Sequence, residues 1–306
     1  MSVCFYHFGR GLPDGVVKHA CTYGNLGVDV FFVISGFVIP LMLDRVEATR
    51  KKILIFFLKR LVRLYPAYLG SSLLLLVLWW ISSLIPGFRG HSVEVTFENL
   101  FANLFFLCDL LKQPWFIPVS WSLAIEWQYY LVVAPSIPLL CSQNSWVRYF
   151  MLSLWIGLSL FPIGKQWLPA YGAVFALGFL SFLRWKGNIF WQTFLVLSLA
   201  SAWVYGGKFG ILAGTVAFLT SWAILAPWSG YGWMKSLGTI SYSLYLTHVY
   251  IGGRIINLGL RFSEDWLLRT TFFVAALVAS IAFAWGLYLL VEKPSHQFSQ
   301  KIGGKI

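Results

Sequence analysis

GVDVFFVISGFVIP, residues 27–40, is a nearly continuous apolar run with one acid, Asp29, close to its start. It ends on Ser35-Gly36 and Pro40, and about ten residues later the chain turns strongly basic. A carboxylate entering hydrocarbon costs about 2.5–3.5 kcal/mol at a helix centre on insertion scales. An acid kept at such a place is a functional-site hypothesis until another explanation is found.

The composition around this stretch sets the class. Of 306 residues, 58% are hydrophobic, 19% aromatic and 11% charged. A soluble domain carries about 25% charged residues, so this chain lacks the polar surface to cover itself. It reads as an all-α, polytopic transmembrane helix bundle whose solvent is the lipid bilayer. The formal net charge is +12, but the basic residues sit between apolar runs, as cytoplasmic loops require. No basic domain or recognition motif points to nucleic acid. Cys4, Cys21, Cys108 and Cys141 lack metal-type spacing and read as small apolar packers. No metal site and no cleavable signal peptide are read from the chain.

A span needs about 20 mostly apolar residues. Nine complete candidates run over 24–43, 66–86, 117–140, 146–162, 169–184, 189–205, 209–227, 237–258 and 267–291. Residues 95–111 differ, with apolar residues at helical period beside Glu98, Asn99 and Asn103. They are expected to form an interfacial amphipathic helix. With no repeat, linker or low-complexity tract, residues 1–306 read as one membrane domain. The basic segment from Arg45 to Arg63 is assigned to the cytoplasm, and alternation then makes the C-terminal tail, with Lys293, Lys301 and Lys305, cytoplasmic too. Met1–Phe8 is apolar and too short to span. It reads as the outer end of a first helix whose beginning is missing, the alternative being a short periplasmic N-terminus lying on the membrane.

Several segments together resemble the membrane acyltransferase-3 family, whose members O-acylate sugars of bacterial envelope glycans and some small molecules. YHFG at 6–9 is similar to the end of the family's first helix. GVDVFFVISGFVIP resembles its second-helix signature, and FLKRLVRLYPAY at 57–68 its Arg-x-x-Arg segment. WSLAIEWQYYL at 121–131, LGTISYSLYLTH at 237–248 and VEKP at 291–294 resemble later motifs, in order. The intact family fold implied by the resemblance has ten helices. There are two departures. The Arg that the family places eleven positions before His7 would fall ahead of Met1, and Glu126 is followed by Trp127 where a second acid is frequent.

Acyl transfer from a thioester to a hydroxyl needs a base, donors for the oxyanion and positive charge for the CoA phosphates. His7, by its place in the family, is the candidate base; an imidazole with a reference pKa of about 6.5 suits the task. The alternative is an interfacial histidine anchoring a helix end. Asp29 either orients that imidazole, as the acid of a triad does, or is an N-terminal acid facing its helix macrodipole. Arg60 and Arg63, one turn apart, share a helix face, and their guanidinium forks suit phosphate oxygens of CoA. Ordinary positive-inside flanking is the bland reading.

Glu126, inside an apolar aromatic segment, requires a partner, with His7, Arg63 or the absent Arg as candidates. It is read as support for the site or a contact to the acceptor, with a pure helix-packing role as the alternative. Ser241, Tyr245 and His248 recur on one face beside Tyr242. They either bind the pantetheine arm or acceptor, or make interhelical hydrogen bonds. His19, His91 and His296 are read as carrying nothing, and Trp121, Trp127, Tyr129 and Tyr130 as packing or belt residues.

What the resemblance implies is an O-acyltransferase, first of all an O-acetyltransferase, of the bacterial inner membrane. Acyl-CoA is the donor substrate, no cofactor is bound permanently, and a polysaccharide or glycolipid-linked sugar is the acceptor. Direct transfer and an acyl-enzyme both stay open. The arginines are expected at the cytoplasmic face and the His7–Asp29 pair at the other. A transporter or flippase is the reading from another class, because intramembrane charge also marks transport paths; an inactive truncated family member is the third.

Overall fold

The computed structural model describes residues 1–44, 50–84, 95–227, 232–262 and 265–302. Arg45, His91 and Lys305 lie outside the described residues. All regular elements among those described are helical. Two short helices, α1 (Ser2–Phe8) and α2 (Val16–Thr22), precede α3 (Gly27–Asp44) and the long α4 (Arg50–Ser83). Short α5 (Phe97–Leu104) and α6 (Cys108–Leu111) lead to α7 (Trp121–Leu140), α8 (Ser145–Leu158), α9 (Gly172–Trp185), α10 (Trp191–Phe209) and α11 (Ile211–Ala223). Beyond them come α12 (Gly232–Thr239), α13 (Ser241–Gly259), α14 (Trp266–Leu287) and α15 (Lys293–Lys301).

A helix therefore stands at each of the nine expected spans. Five helical stretches among the described residues are long and apolar enough to cross a bilayer: Val16–Asp44, Lys51–Ser83, Pro118–Leu140, Leu168–Trp185 and Trp266–Lys301. The other four differ for physical reasons. α11 has 13 residues and α8 has 14, a rise of about 20 Å against a hydrocarbon core of about 30 Å. α10 and α13 have 19 residues each but dilute their apolar content, α10 with Gln192 and Lys208, α13 with His248 and Arg254.

The amphipathic segment at 95–111 departs from expectation. It is two helices, because Phe106 adopts a positive φ between them. Its polarity also runs inward. Asn99 and Asn103 are buried and both donate to the Pro114 carbonyl, while Asn103 Oδ1 accepts from the Phe116 amide at 2.8 Å. Phe97, Phe101 and Phe105 form an exposed aromatic row. A polar stripe can face the protein when a loop there has unpaired backbone groups to satisfy; helical periodicity alone does not say which side that is.

The chain divides into two compact units. The first comprises Met1–Asn25, Leu58–Leu123 and Gly230–Lys305. There α13 packs along α14, and α1 lies against both. Phe8 of α1 is fully buried and meets α13 at Gly252, where a Cβ would come within 2.1 Å of its ring. Cys4, Leu12, Leu244, Ile256 and Phe273 complete this core, and a second one gathers Ala67, Tyr68, Ile117, Val119 and Leu246. α14 reaches α15 through a π turn, Tyr288–Glu292. Pro294 would press on the residue 290 carbonyl in an unbroken α-helix and has no N–H to offer it, so a widened turn just ahead of it relieves the clash.

The second unit comprises Leu26–Phe57 and Ala124–Ser229. Its axis is α9, buried on every side from Gly172 to Leu183. α3 crosses α9 at backbone contact: a Cβ on Gly178 would fall 1.9 Å from the Val33 carbonyl oxygen, and one on Gly36 2.3 Å from that of Phe175. Helices without a hydrophobic driving force between them gain by such close approach. Tyr129 of α7 seals the crossing, stacked on Phe175 at 4.1 Å with its hydroxyl donating to the Gly36 carbonyl at 3.4 Å.

Gly178→Ala is expected to destabilise the protein by about 1–3 kcal/mol, because the obstacle is backbone. Gly207→Ala on α10, with nothing within 4 Å of its Cβ, is expected to be neutral or stabilising by up to about 1 kcal/mol. Thermal unfolding in nanodiscs checks both, and equal behaviour of the two variants would contradict the crossing.

Candidate active site

His7 lies in the last turn of α1, half-buried, with its ring 5.2 Å from that of His248 on α13. α1 brings it there because Phe8 and Cys4, on the buried side, lock the helix into the first core. Tyr6 meets His7 edge-on at 5.1 Å, and the Arg10 guanidinium sits over the Tyr6 ring. His248 is fully buried. Its Nδ1 lies 3.0 Å from the Leu244 carbonyl and 2.8 Å from that of Tyr245, while Nε2 has no hydrogen-bond partner. Carbonyls only accept, so Nδ1 carries the proton and, in the neutral ring, Nε2 carries the lone pair.

The basic pair lies in the same unit. Arg60 is buried and Arg63 half-buried. The positive charge of Arg63 reaches Glu292, and that of both arginines reaches His296. Glu292 is presented by the π turn and accepts a 2.5 Å hydrogen bond from Ser243. Ser243 and His248 are both on α13, five positions apart, a rise of about 8 Å. Ser243 and His248 are therefore near each other in rise along α13, and about 140° apart around it.

Of the other residues singled out on α13, only Tyr245 approaches His248, with ring centroids 6.0 Å apart. Its hydroxyl donates to the Val119 carbonyl and meets Ser122 Oγ at 2.6 Å, tying α13 to the turn before α7. Tyr242 donates to the Leu64 carbonyl, next to Arg63. Ser241 is exposed and donates to the Gly238 carbonyl. Buried hydroxyls of this helix belong to Ser243, Thr247 and Tyr250.

Asp29 and Glu126 belong to the second unit. Asp29 accepts a hydrogen bond from Tyr205 of α10, a residue 1% exposed. Glu126 is buried on α7 and accepts from Ser35 of α3 at 3.1 Å. Each acid thus joins α3 to a neighbour. Tyr129 and Tyr130 are buried packing residues. Among the described residues no group of three His, Cys, Asp or Glu side chains is placed to hold a metal.

Comparison with known proteins gives the family. The pattern of the acyltransferase domain family, Acyl_transf_3, matches residues 1–289. The chain belongs to this family. It is 30% identical over 216 residues to a protein named as an acetyltransferase, ORF330, of Acidianus two-tailed virus, covering 63% of this chain and 57% of that protein. It is 33% identical over 124 residues to the exopolysaccharide production protein ExoZ of Rhizobium meliloti (39% and 36%). A Staphylococcus aureus protein named as an O-acetyltransferase, SACOL0978, is 31% identical over 160 residues (48% and 25%). The matches thus span from a quarter to just over half the length of these relatives. No solved structure matches the chain.

From sequence, Ser243 and Tyr205 are not singled out, His296 is read as carrying nothing, and Glu292 enters only within the VEKP segment. Glu292 carried the same signal as Glu126, an acid at the border of a long apolar run. Ser243 and Thr247 repeat at four residues, which marks a helix face. Tyr205 carried none. Tyr205→Phe is expected to cost about 1–3 kcal/mol, since it leaves a carboxylate without its donor. Asp29→Asn in that background is expected to cost less than Asp29→Asn alone. Thermal unfolding of the double-mutant cycle reads the coupling, and additive losses would show that the two groups do not interact.

Proposed function

We propose that this protein is an integral-membrane O-acyltransferase, of the O-acetyltransferase kind. In this reading it takes an acyl group from cytoplasmic acyl-CoA to a hydroxyl of a cell-envelope polysaccharide or glycolipid-linked sugar. The setting is the bacterial inner membrane, with the C-terminus in the cytoplasm. What supports the reading is the short rise along α13 between Tyr242, bonded to the Leu64 carbonyl beside Arg63, and His248 against His7. A donor held by its phosphates at the arginines has its thioester within reach of the histidines. The glycan acceptor follows from relatives named for exopolysaccharide production and O-acetylation.

The chemistry assigns each group one task. Arg60 and Arg63 bind the CoA phosphates. The acceptor oxygen attacks the thioester carbonyl and gives its proton to His7 as the new C–O bond forms. Collapse of the tetrahedral intermediate breaks the C–S bond, and His7 returns the proton to the departing sulfur. The products are the O-acyl sugar and free CoA thiol, with no change in oxidation state. Of the two routes, the proximity of the two clusters supports direct transfer.

Membranes carrying the protein, incubated with labelled acetyl-CoA and host glycan, are expected to transfer label to the glycan. His7→Ala is expected to lower kcat by about 100-fold or more. Arg63→Ala is expected to raise the KM for acetyl-CoA, since it removes ground-state binding. An absence of transfer by the wild type, or movement of glycan across the membrane without acetyl-CoA, would overturn the proposal.

A further inference from the structure

We infer that His248 is a positioning residue for His7, receiving an N–H of the His7 ring on its Nε2 and leaving the other His7 nitrogen free to take the acceptor proton. The inference rests on the acyltransferase reading for its consequence, but its geometry stands apart from it. His248 is 0% exposed, and its Nε2 is a buried polar atom without a partner. A buried nitrogen of this kind is costly unless a donor reaches it.

The ring against it is His7. Two imidazoles joined end to end by an N–H···N hydrogen bond have centroids about 5 Å apart, the sum of the bond and two ring radii. The observed separation is 5.2 Å with the planes tilted by 58°. Turning the His7 ring about χ2 aligns the bond without moving either helix, and hydrogen bonds in sites without substrate are commonly misaligned in this way.

The tautomer is set from behind. Leu244 and Tyr245 carbonyls hold the Nδ1 proton, so Nε2 presents a lone pair to His7. Phe8, 6.2 Å from the His248 ring, and Gly252, which admits Phe8, fix the approach of α1. When His7 takes the acceptor proton, its N–H to His248 becomes charge-assisted and strengthens. This is the duty that the sequence reading gave to Asp29. A neutral imidazole performs it without adding a second charge to the apolar interior.

Solid-state NMR of the full chain, labelled with 15N-histidine in bilayers, tests the pairing without any assay of activity. The expected signals are a protonated Nδ1 and an unprotonated Nε2 for His248, with a through-bond correlation from that Nε2 to a His7 N–H that His7→Phe removes. A His248 in the other tautomer, or no correlation, overturns the inference even if the enzyme is active. In the transfer assay, His248→Phe is expected to lower kcat by about 100-fold with the KM for acetyl-CoA unchanged. His248→Gln, whose Oε1 restores an acceptor near the Nε2 position, is expected to recover all but about tenfold. Phe and Gln variants equally impaired at equal protein level would show a packing role and overturn the positioning. A wild type that transfers nothing would sink the acyltransferase reading and leave the NMR result to judge the pair.

Discussion

A polar atom carried into a low-dielectric interior must be met by the chain itself, because no water is there to meet it. Three acids in this protein show how that demand organises helices. Glu126 accepts from Ser35, Asp29 from Tyr205 and Glu292 from Ser243. Each bond links two elements: α3 with α7, α3 with α10, and α13 with the π turn after α14. Apolar packing brings these helices together without much discrimination among rotations. A carboxylate that must find one hydroxyl selects the rotation.

Apolar run length made the nine helices legible in sequence. What stayed hidden was pairing. A period of 3.6 residues states which positions share a face but not which neighbour they meet. Asn99 and Asn103 show this directly, since their polar stripe turns inward to the Pro114–Phe116 backbone. His248 shows it again: its spacing from Tyr245 was visible, whereas its approach to His7, more than 200 positions earlier in the chain, depends on Phe8 seating at Gly252. Tyr205 had no signal of any kind, because a tyrosine in a membrane helix is ordinary.

Depth was the other hidden quantity. Charge bias places loops on one side of a membrane or the other, and it makes every residue near a loop look peripheral. Ser243, bonded to Glu292, and His248, facing His7, are about one and a half turns apart on a single helix.

The π turn at Tyr288–Glu292 acts as a phase shifter. One additional residue in a turn rotates everything beyond it by about 100° relative to a straight α-helix. In an uninterrupted helix of the same sequence, Glu292 would swing off Ser243, and Phe298, now exposed, would turn by the same angle. The length of chain between Trp266 and Glu292 is thus as informative as its composition. Loss of one residue there would leave the apolar character of the helix intact and still dismantle the arginine cluster by rotation alone.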